Sequence, residues 1–168
     1  RVEMGKKKAS KKMILASTAG AEHLTAILAE KVLQGWALDN ADPQIKELWL
    51  WHATEELEHK SVAFDVYTQV GGSFKMRITM MRLTTFYFLF DALSNTLRML
   101  SHDKQLWKWS TFKSGCQFFF GKEGILRTLW PEYKTYFKED FHPWNNDNRE
   151  LLDDWQQLLE THQDLAPN

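Results

Sequence analysis

The chain has 168 residues and a formal net charge of −1, which is the size of one ordinary domain. Its 43% hydrophobic and 26% charged residues exclude a disordered chain, because that balance is typical of globular proteins. The single cysteine, Cys116, excludes an intrachain disulfide and favours a reducing compartment, so we expect a cytoplasmic protein.

The first half of the chain is predicted to be a helical hairpin. The first helix covers about residues 10–36, and the second begins at Asp42-Pro43 and continues to Val70. Aspartate can cap a helix and proline suits its first position, so this start is well marked. No alternating strand pattern competes with the helical one. The hairpin therefore spans residues 13–70.

The second half, residues 73–168, is also predicted to be helical. Ser73 is the expected cap of a third helix that reaches about Leu100, since serine accepts a hydrogen bond from the first turn. Asp103 is the expected cap of a fourth helix that ends near Gly121. Both assignments place a short polar residue directly before a helical stretch.

The C-terminal part contains shorter elements. One short helix precedes Trp130, and another opens at Pro131. A loop follows at residues 142–146, and a last acidic helix covers about residues 148–161. The sequence therefore predicts an all-α protein.

Charge is concentrated at the two ends of the chain. Residues 1–12 carry six basic residues and one acid, whereas residues 139–168 carry eight acids and one arginine. No nucleic-acid motif accompanies them, so we expect solvated ends and no nucleic-acid partner. The most apolar stretch, residues 83–90, is far shorter than the roughly 20 residues of a membrane span. We expect a basic N-terminal segment followed by one all-α domain at residues 13–168.

The second predicted helix places polar residues inside an apolar stripe. At about 100° per residue, His52, Glu56 and His59 share one face that we expect to be buried, while Glu58 faces water. A buried carboxylate must be neutralised, either by Lys60 or an arginine, or by a metal ion. The Glu-x-x-His spacing of Glu56 and His59 brings an oxygen and a nitrogen ligand to one ion. His52, one turn earlier, can add another nitrogen.

The first predicted helix supplies a matching carboxylate. Glu22 lies at the centre of a face that is otherwise apolar. In an antiparallel hairpin closed at residues 37–42, Glu22 and Glu56 both lie about 20 Å from the turn, at a rise of about 1.5 Å per residue. They are therefore level on facing helices, which predicts a shared metal site. Oxygen and imidazole ligands without thiolate fit iron or manganese, and zinc is possible.

Three segments resemble the bacterial predicted metal-dependent hydrolase family. They are AEHLTA at residues 21–26, LWLWHATEELEHKSVAFDVY at residues 48–67 and FHPW at residues 141–144. The resemblance covers nearly the whole chain and implies a metal-dependent hydrolase with a small-molecule substrate. The spacing of His52, Glu56 and His59 is also similar to the ligand helix of the di-iron p-aminobenzoate N-oxygenases, which are ferritin-like.

This resemblance implies a ferritin-like helical bundle and a pair of divalent metal ions. The implied metal ligands are Glu22, His52, Glu56 and His59, with Glu55 as an alternate ligand. Two other functions stay open, namely a di-iron oxygenase acting on an apolar organic substrate and a non-catalytic helical assembly module. The catalytic residues and the substrate are not predicted.

The predicted ligands make half of a ferritin-like site. Such a site takes a glutamate from each of two helices and a Glu-x-x-His from each of the other two, whereas this chain supplies one of each. The resemblance implies that the chain is the C-terminal portion of a longer protein whose upstream helices hold the other half. A homodimer that pairs two half-sites is the alternative. A group of large apolar side chains on the third predicted helix is expected either to line an apolar pocket or to be plain core, and consists of Met80, Met81, Phe86, Tyr87, Phe88 and Phe90.

Overall fold

A computed structural model describes residues 10–36, 38, 41–122 and 124–164, with side chains as far as Gln157. The described residues contain no strand, which confirms the all-α prediction. Of the predicted basic segment, only residues 10–12 lie within the described part. The helices are α1 (Lys11–Leu33), α2 (Pro43–His59), α3 (Val62–Gln69), α4 (Phe74–His102), α5 (Trp109–Phe120), α6 (Ile125–Thr135) and α7 (Arg149–Asp164), with a 3-10 turn at Pro143–Asn145.

Three helix starts lie where the sequence predicts them. Ser10, Asp42 and Ser73 each accept a backbone N–H bond from the first turn of the following helix, at 3.2, 2.9 and 3.3 Å. Pro43 occupies the first turn of α2, where its missing N–H has no intrahelical partner to lose. These short-range bonds confirm the predicted starts of α1, α2 and α4.

The second predicted helix is wrong in one respect, because it is interrupted at Lys60 and Ser61 and forms two helices, α2 and α3. The N–H groups in the first turn of α3 have no helical acceptor. One of them, that of Ala63, donates to the Glu22 carboxylate at 3.0 Å. No glycine or proline marks the break, so the local sequence carries no signal for it.

The predicted cap at Asp103 is also wrong. Asp103 is the C-cap of α4, directly after its last residue His102, and the next helix, α5, begins only at Trp109. Lys104 follows with a φ of 55°, a left-handed conformation that stops a helix. Aspartate is common at both turns and helix starts, which explains why the residue type alone misplaced it.

The two short helices predicted around Pro131 are one helix, α6, with the proline inside it. A proline within a helix removes one backbone hydrogen bond and is locally unfavourable. Leu129 and Tyr133, on either side of the proline, pack against the same hydrophobic core. Tertiary packing therefore carries the helix through a residue that usually ends one.

Helix α1 lies at the centre of the fold, where it packs against α2, α3, α4 and α6, while α2 also packs against α7. Gly20 allows a close approach of α1 and α4, since a Cβ there would lie 3.3 Å from Met81 Sδ. One core cluster joins α1, α3, α4 and α6 and consists of Ala19, Leu24, Ile27, Ala63, Phe64, Met81, Tyr136 and Phe141. A second joins α1, α2 and α7 and consists of Ala29, Leu33, Leu50, Ala53, Leu57 and Leu152.

Most of α4 lies outside these cores. Its buried residues are Arg77 and Met81, near its start. Met81 is fully buried, so the core interpretation of the apolar side chains of this helix is confirmed there, whereas Phe86 and Phe90 are 61% and 50% exposed and do not belong to the core. No described helix has the length and apolar character needed to cross a membrane.

Candidate metal centre

The face of α2 that carries the predicted ligands is open to solvent. His52 and His59 are exposed, and the neighbouring Ile45, Leu48 and Trp49 are about half exposed. The side chains of α2 that pack against α1 and α7 lie on another face, which consists of Leu50, Ala53 and Leu57. The expectation of a buried ligand stripe is therefore wrong, because two apolar faces compete on this helix and the structure covers the other one.

Glu22 belongs to helix α1, and its side chain lies against the start of α3. Its Oε2 accepts the bond from the Ala63 N–H described above. Burial raises the pKa of Glu22, the Ala63 N–H and the nearby His59 lower it, and the nearby Glu56 raises it, with a net rise. The charge of Glu22 thus interacts with both Glu56 and His59 across the helical hairpin.

His52 and Glu56 form a second link in this arrangement. The His52 Nε2 lies 3.6 Å from Glu56 Oε1, one helical turn away. The Trp49 ring packs against the His52 ring at 5.9 Å between centroids in an edge-to-face geometry. Of the four predicted ligands, His52 and Glu56 are in contact, whereas Glu22 is linked to Glu56 and His59 only by electrostatic interaction. No three of the four place ligand atoms within 4.8 Å of one another in the described structure.

Glu55, Glu58 and His59 form a tighter group at the end of α2. One potential ligand atom of each lies within 4.8 Å of the other two. No other set of three His, Cys, Asp or Glu side chains in the described part of the chain meets this distance. Glu55 is the predicted alternate ligand, whereas sequence reasoning missed Glu58. The i, i+3, i+4 spacing was the available signal, since such residues are neighbours on a helix surface.

Lys60 does not neutralise Glu56, although the sequence offered it as the simplest partner. Its Nζ donates to the Asn146 carbonyl at 2.8 Å and to Asn148 Oδ1 at 2.6 Å. It also lies 3.8 Å from the centre of the Trp144 ring, a favourable position for a cation. Lys60 thus joins the α2–α3 break to the segment before α7 and forms no ion pair with Glu56.

The carboxylates around His59 have no cationic side chain as a partner. Within the described residues, no lysine or arginine lies within 4.0 Å of Glu22, Glu55 or Glu56 in an ion pair, and the Glu56 contact is with neutral or protonated His52. Oxygen and imidazole donors of this kind suit divalent iron, manganese or zinc. The donor set therefore fits a divalent metal ion.

A buried polar layer lies beneath Glu22. The His23 Nε2, Arg77 Nε and Tyr136 Oη atoms are buried and have no hydrogen-bond partner among the described residues. The His23 ring lies 4.9 Å from the Tyr136 ring between centroids. Burial, followed by a raising effect from the Glu132 carbonyl and lowering effects from nearby cations, brings the pKa of His23 to about 4. His23 is thus a neutral imidazole of the core at pH 7.

This buried imidazole predicts a pH-dependent stability for the metal-free protein. Between pH 6.5 and 4 the unfolded chain takes up a proton at His23 while the folded chain does not. The free energy of unfolding therefore decreases as the pH is lowered through this range, by about 3 kcal/mol from this group. His23→Gln removes that component. Urea titrations of both proteins in chelator across this range measure the difference, and parallel curves would contradict the prediction.

A profile of the family described as "Predicted metal-dependent hydrolase" matches residues 1–147. No curated protein and no solved structure matches the chain. The matched region contains α1, α2 and every carboxylate and histidine of the candidate centre.

Proposed function

Because the chain belongs to the family of predicted metal-dependent hydrolases, we propose that it hydrolyses a small-molecule substrate with divalent metal bound at the end of α2. The proposed ligands are Glu22, His52, Glu56 and His59, with Glu55 as the alternate. One observation carries the proposal, namely that several carboxylates gather around His59 and none of them pairs with a lysine or arginine of the described residues. That arrangement is unfavourable unless a cation joins it.

The chemistry of the side chains supports hydrolysis. A divalent ion bound here would polarise a substrate oxygen and lower the pKa of bound water. A carboxylate that does not hold the metal can accept the proton that water loses, and Glu58 lies within reach of the group. The exposed side chains of Ile45, Leu48 and Trp49 line the same face and suit an apolar part of the substrate.

Metal titration tests the ligand set. Glu22→Gln keeps an acceptor for the Ala63 N–H, so the fold is retained while the metal loses a charged ligand. We expect Glu22→Gln to weaken binding of iron(II), manganese(II) or zinc(II) by at least tenfold in calorimetry, whereas Glu58→Gln weakens it less. The reverse order would place the metal at the outer group of Glu55, Glu58 and His59 instead.

The ligand count supports a site shared by two helical pairs. A ferritin-like dimetal centre needs two glutamates and two Glu-x-x-His pairs, and α1 and α2 supply one of each. Two copies of the chain related by a twofold axis contribute the full set. We expect metal to promote a dimer in light scattering, with the ion count per dimer matching the completed site. A monomer that retains two ions per chain would contradict this arrangement.

A di-iron oxygenase is the second candidate function. His52, at 3.6 Å from Glu56, adds a nitrogen donor to the Glu-x-x-His pair, as in the N-oxygenases that the sequence resembles. Anaerobic loading with iron(II) followed by air separates the two chemistries. Optical and Mössbauer signals of a di-iron centre that reacts with air, in a protein without hydrolytic activity, would favour the oxygenase and contradict the hydrolase proposal. A protein that binds no metal in any form tested would be an assembly module.

A further inference from the structure

Helix α5 presents its aromatic face outward. On a wheel of about 100° per residue, its large apolar side chains fall on two sides. Phe118 lies on one side and packs against Trp36, with 5.5 Å between ring centroids, although it is still 46% exposed. Thr111 and Gly115, on the same side, are partly buried. The opposite face is solvent-exposed and consists of Trp109, Phe112, Cys116, Phe119 and Phe120.

The exposure of this face is high and continues beyond the helix. Trp109 and Phe120 are each 75% exposed, at the two ends of α5. Trp107, just before the helix, is 94% exposed. A surface helix of a globular protein normally turns its apolar side inward, so this helix has the reverse arrangement. A contiguous exposed patch of large aromatic side chains marks an interaction surface.

The charge within this segment is positive. Residues 104–122 contain four lysines and no aspartate or glutamate, and with the flanking Asp103 and Glu123 the segment still carries a net charge of +2, within a chain whose net charge is −1. The four are exposed and consist of Lys104, Lys108, Lys113 and Lys122. Aromatic side chains interleaved with lysines are typical of segments that lie in the headgroup region of a bilayer. Lysine attracts the anionic lipids of such a surface.

Two further observations select the partner. At about 1.5 Å per residue, the 12 residues of α5 extend about 18 Å, too short to span a bilayer and suited to lying on it. A second copy of the chain is disfavoured on this face. A twofold contact places the same patch on both sides and brings lysines against lysines.

We propose that α5 and the preceding Trp107 form a membrane-docking surface that binds bilayers containing anionic lipid. The aromatic side chains of the outward face enter the headgroup region, and the surrounding lysines contact the lipid phosphates. This surface consists of residues 104–122 and shares no residue with the metal centre. The proposal of membrane docking is therefore independent of the hydrolase proposal.

Sedimentation with lipid vesicles tests the proposal. The protein is expected to bind vesicles of phosphatidylcholine mixed with phosphatidylglycerol, to bind pure phosphatidylcholine weakly, and to dissociate as salt is raised. The variant Trp107→Ser/Trp109→Ser/Phe120→Ser is expected to lose binding. Trp51→Ser, at an exposed tryptophan of α2, is the matched control and is expected to bind like the wild type.

Charge substitutions test the electrostatic part separately. Each lysine near an anionic surface changes the partition by about fivefold, so Lys108→Gln/Lys113→Gln is expected to weaken binding about 25-fold. The control is Lys46→Gln/Lys75→Gln, at two exposed lysines outside the segment, which is expected to change little. Far-UV circular dichroism checks that every variant keeps its helical content.

Cys116 offers a direct probe, because it is the only cysteine of the chain and lies on the outward face. A polarity-sensitive fluorophore on Cys116 is expected to shift to shorter wavelength on anionic vesicles. The same probe in Cys116→Ser/Ser114→Cys, on the polar side of α5, is expected to shift less. Equal binding by the aromatic variant, no preference for anionic vesicles, or self-association through α5 without vesicle binding would each overturn the proposal.

Discussion

His59→Ala is expected to weaken metal binding by at least about 100-fold. Removal of an outer-shell partner of a metal ligand already costs about 10- to 100-fold, and His59 is proposed as a direct ligand. His59 also lies near two pairs of carboxylates. It interacts electrostatically with Glu22, as Glu56 does, and it is grouped with Glu55 and Glu58 at the end of α2. Isothermal titration with manganese(II) or zinc(II), and metal analysis after dialysis, measure the effect.

His102→Ala is the matched control for this experiment. His102 is an exposed histidine at the end of α4 and pairs only with the neighbouring Asp103 in the described structure. Its loss is expected to leave the metal content unchanged. Because His59 is exposed, His59→Ala should also keep its unfolding curve in chelator. A His59→Ala protein that binds metal like the wild type would remove the central ligand of the proposed centre.

Lys60→Ala is expected to lower the free energy of unfolding by about 3 kcal/mol. The side chain is 4% exposed, so its truncation removes packed methylene groups and leaves a cavity. It also leaves the Asn146 carbonyl and Asn148 Oδ1 without their donor. Urea denaturation at pH 7 in chelator measures the loss. Lys46→Ala, at an exposed lysine of α2, is expected to change the free energy by less than about 0.5 kcal/mol.

Lys60→Met separates the contribution of the ammonium group from that of the hydrocarbon stem. Burial lowers the pKa of Lys60 to about 8, so the group is still charged at pH 7 and its burial carries a cost. Methionine keeps most of the packed volume and removes the charge, so a loss smaller than that of Lys60→Ala is expected. A Lys60→Met protein as stable as the wild type would show that the hydrogen bonds to Asn146 and Asn148 contribute nothing net.

The helix starts and the phase of the ligand face were predictable because both depend on local geometry. Capping bonds join residues only two or three positions apart, as at Ser10, Asp42 and Ser73. The 3.6-residue period places His52, Glu56 and His59 on one side of α2 wherever that helix packs. The same period places Trp109, Phe112 and Cys116 on one side of α5, but it does not determine whether that side faces solvent.

The break between α2 and α3 was not predictable from local residues. Two long-range interactions accompany the break. Glu22 accepts a bond from the Ala63 N–H, and Lys60 donates to Asn146 and Asn148, which lie 86 and 88 positions further along the chain. The first satisfies a backbone N–H that a continuous helix would have satisfied by itself, and the second holds the Lys60 side chain at the break. Such compensation depends on which segments come together in the fold.

The sequence by itself determined an all-α chain, three of its helix starts, the shared face of His52, Glu56 and His59, and the family to which these residues point. Only the tertiary structure decided that this face is exposed to solvent and that Glu58 groups with Glu55 and His59. It also decided that Lys60 binds Asn146 and Asn148 instead of pairing with Glu56. The physical reason is that periodicity sets which residues share a side of a helix. Burial and partners depend on what packs against that side, as α1 and α7 do at Leu57.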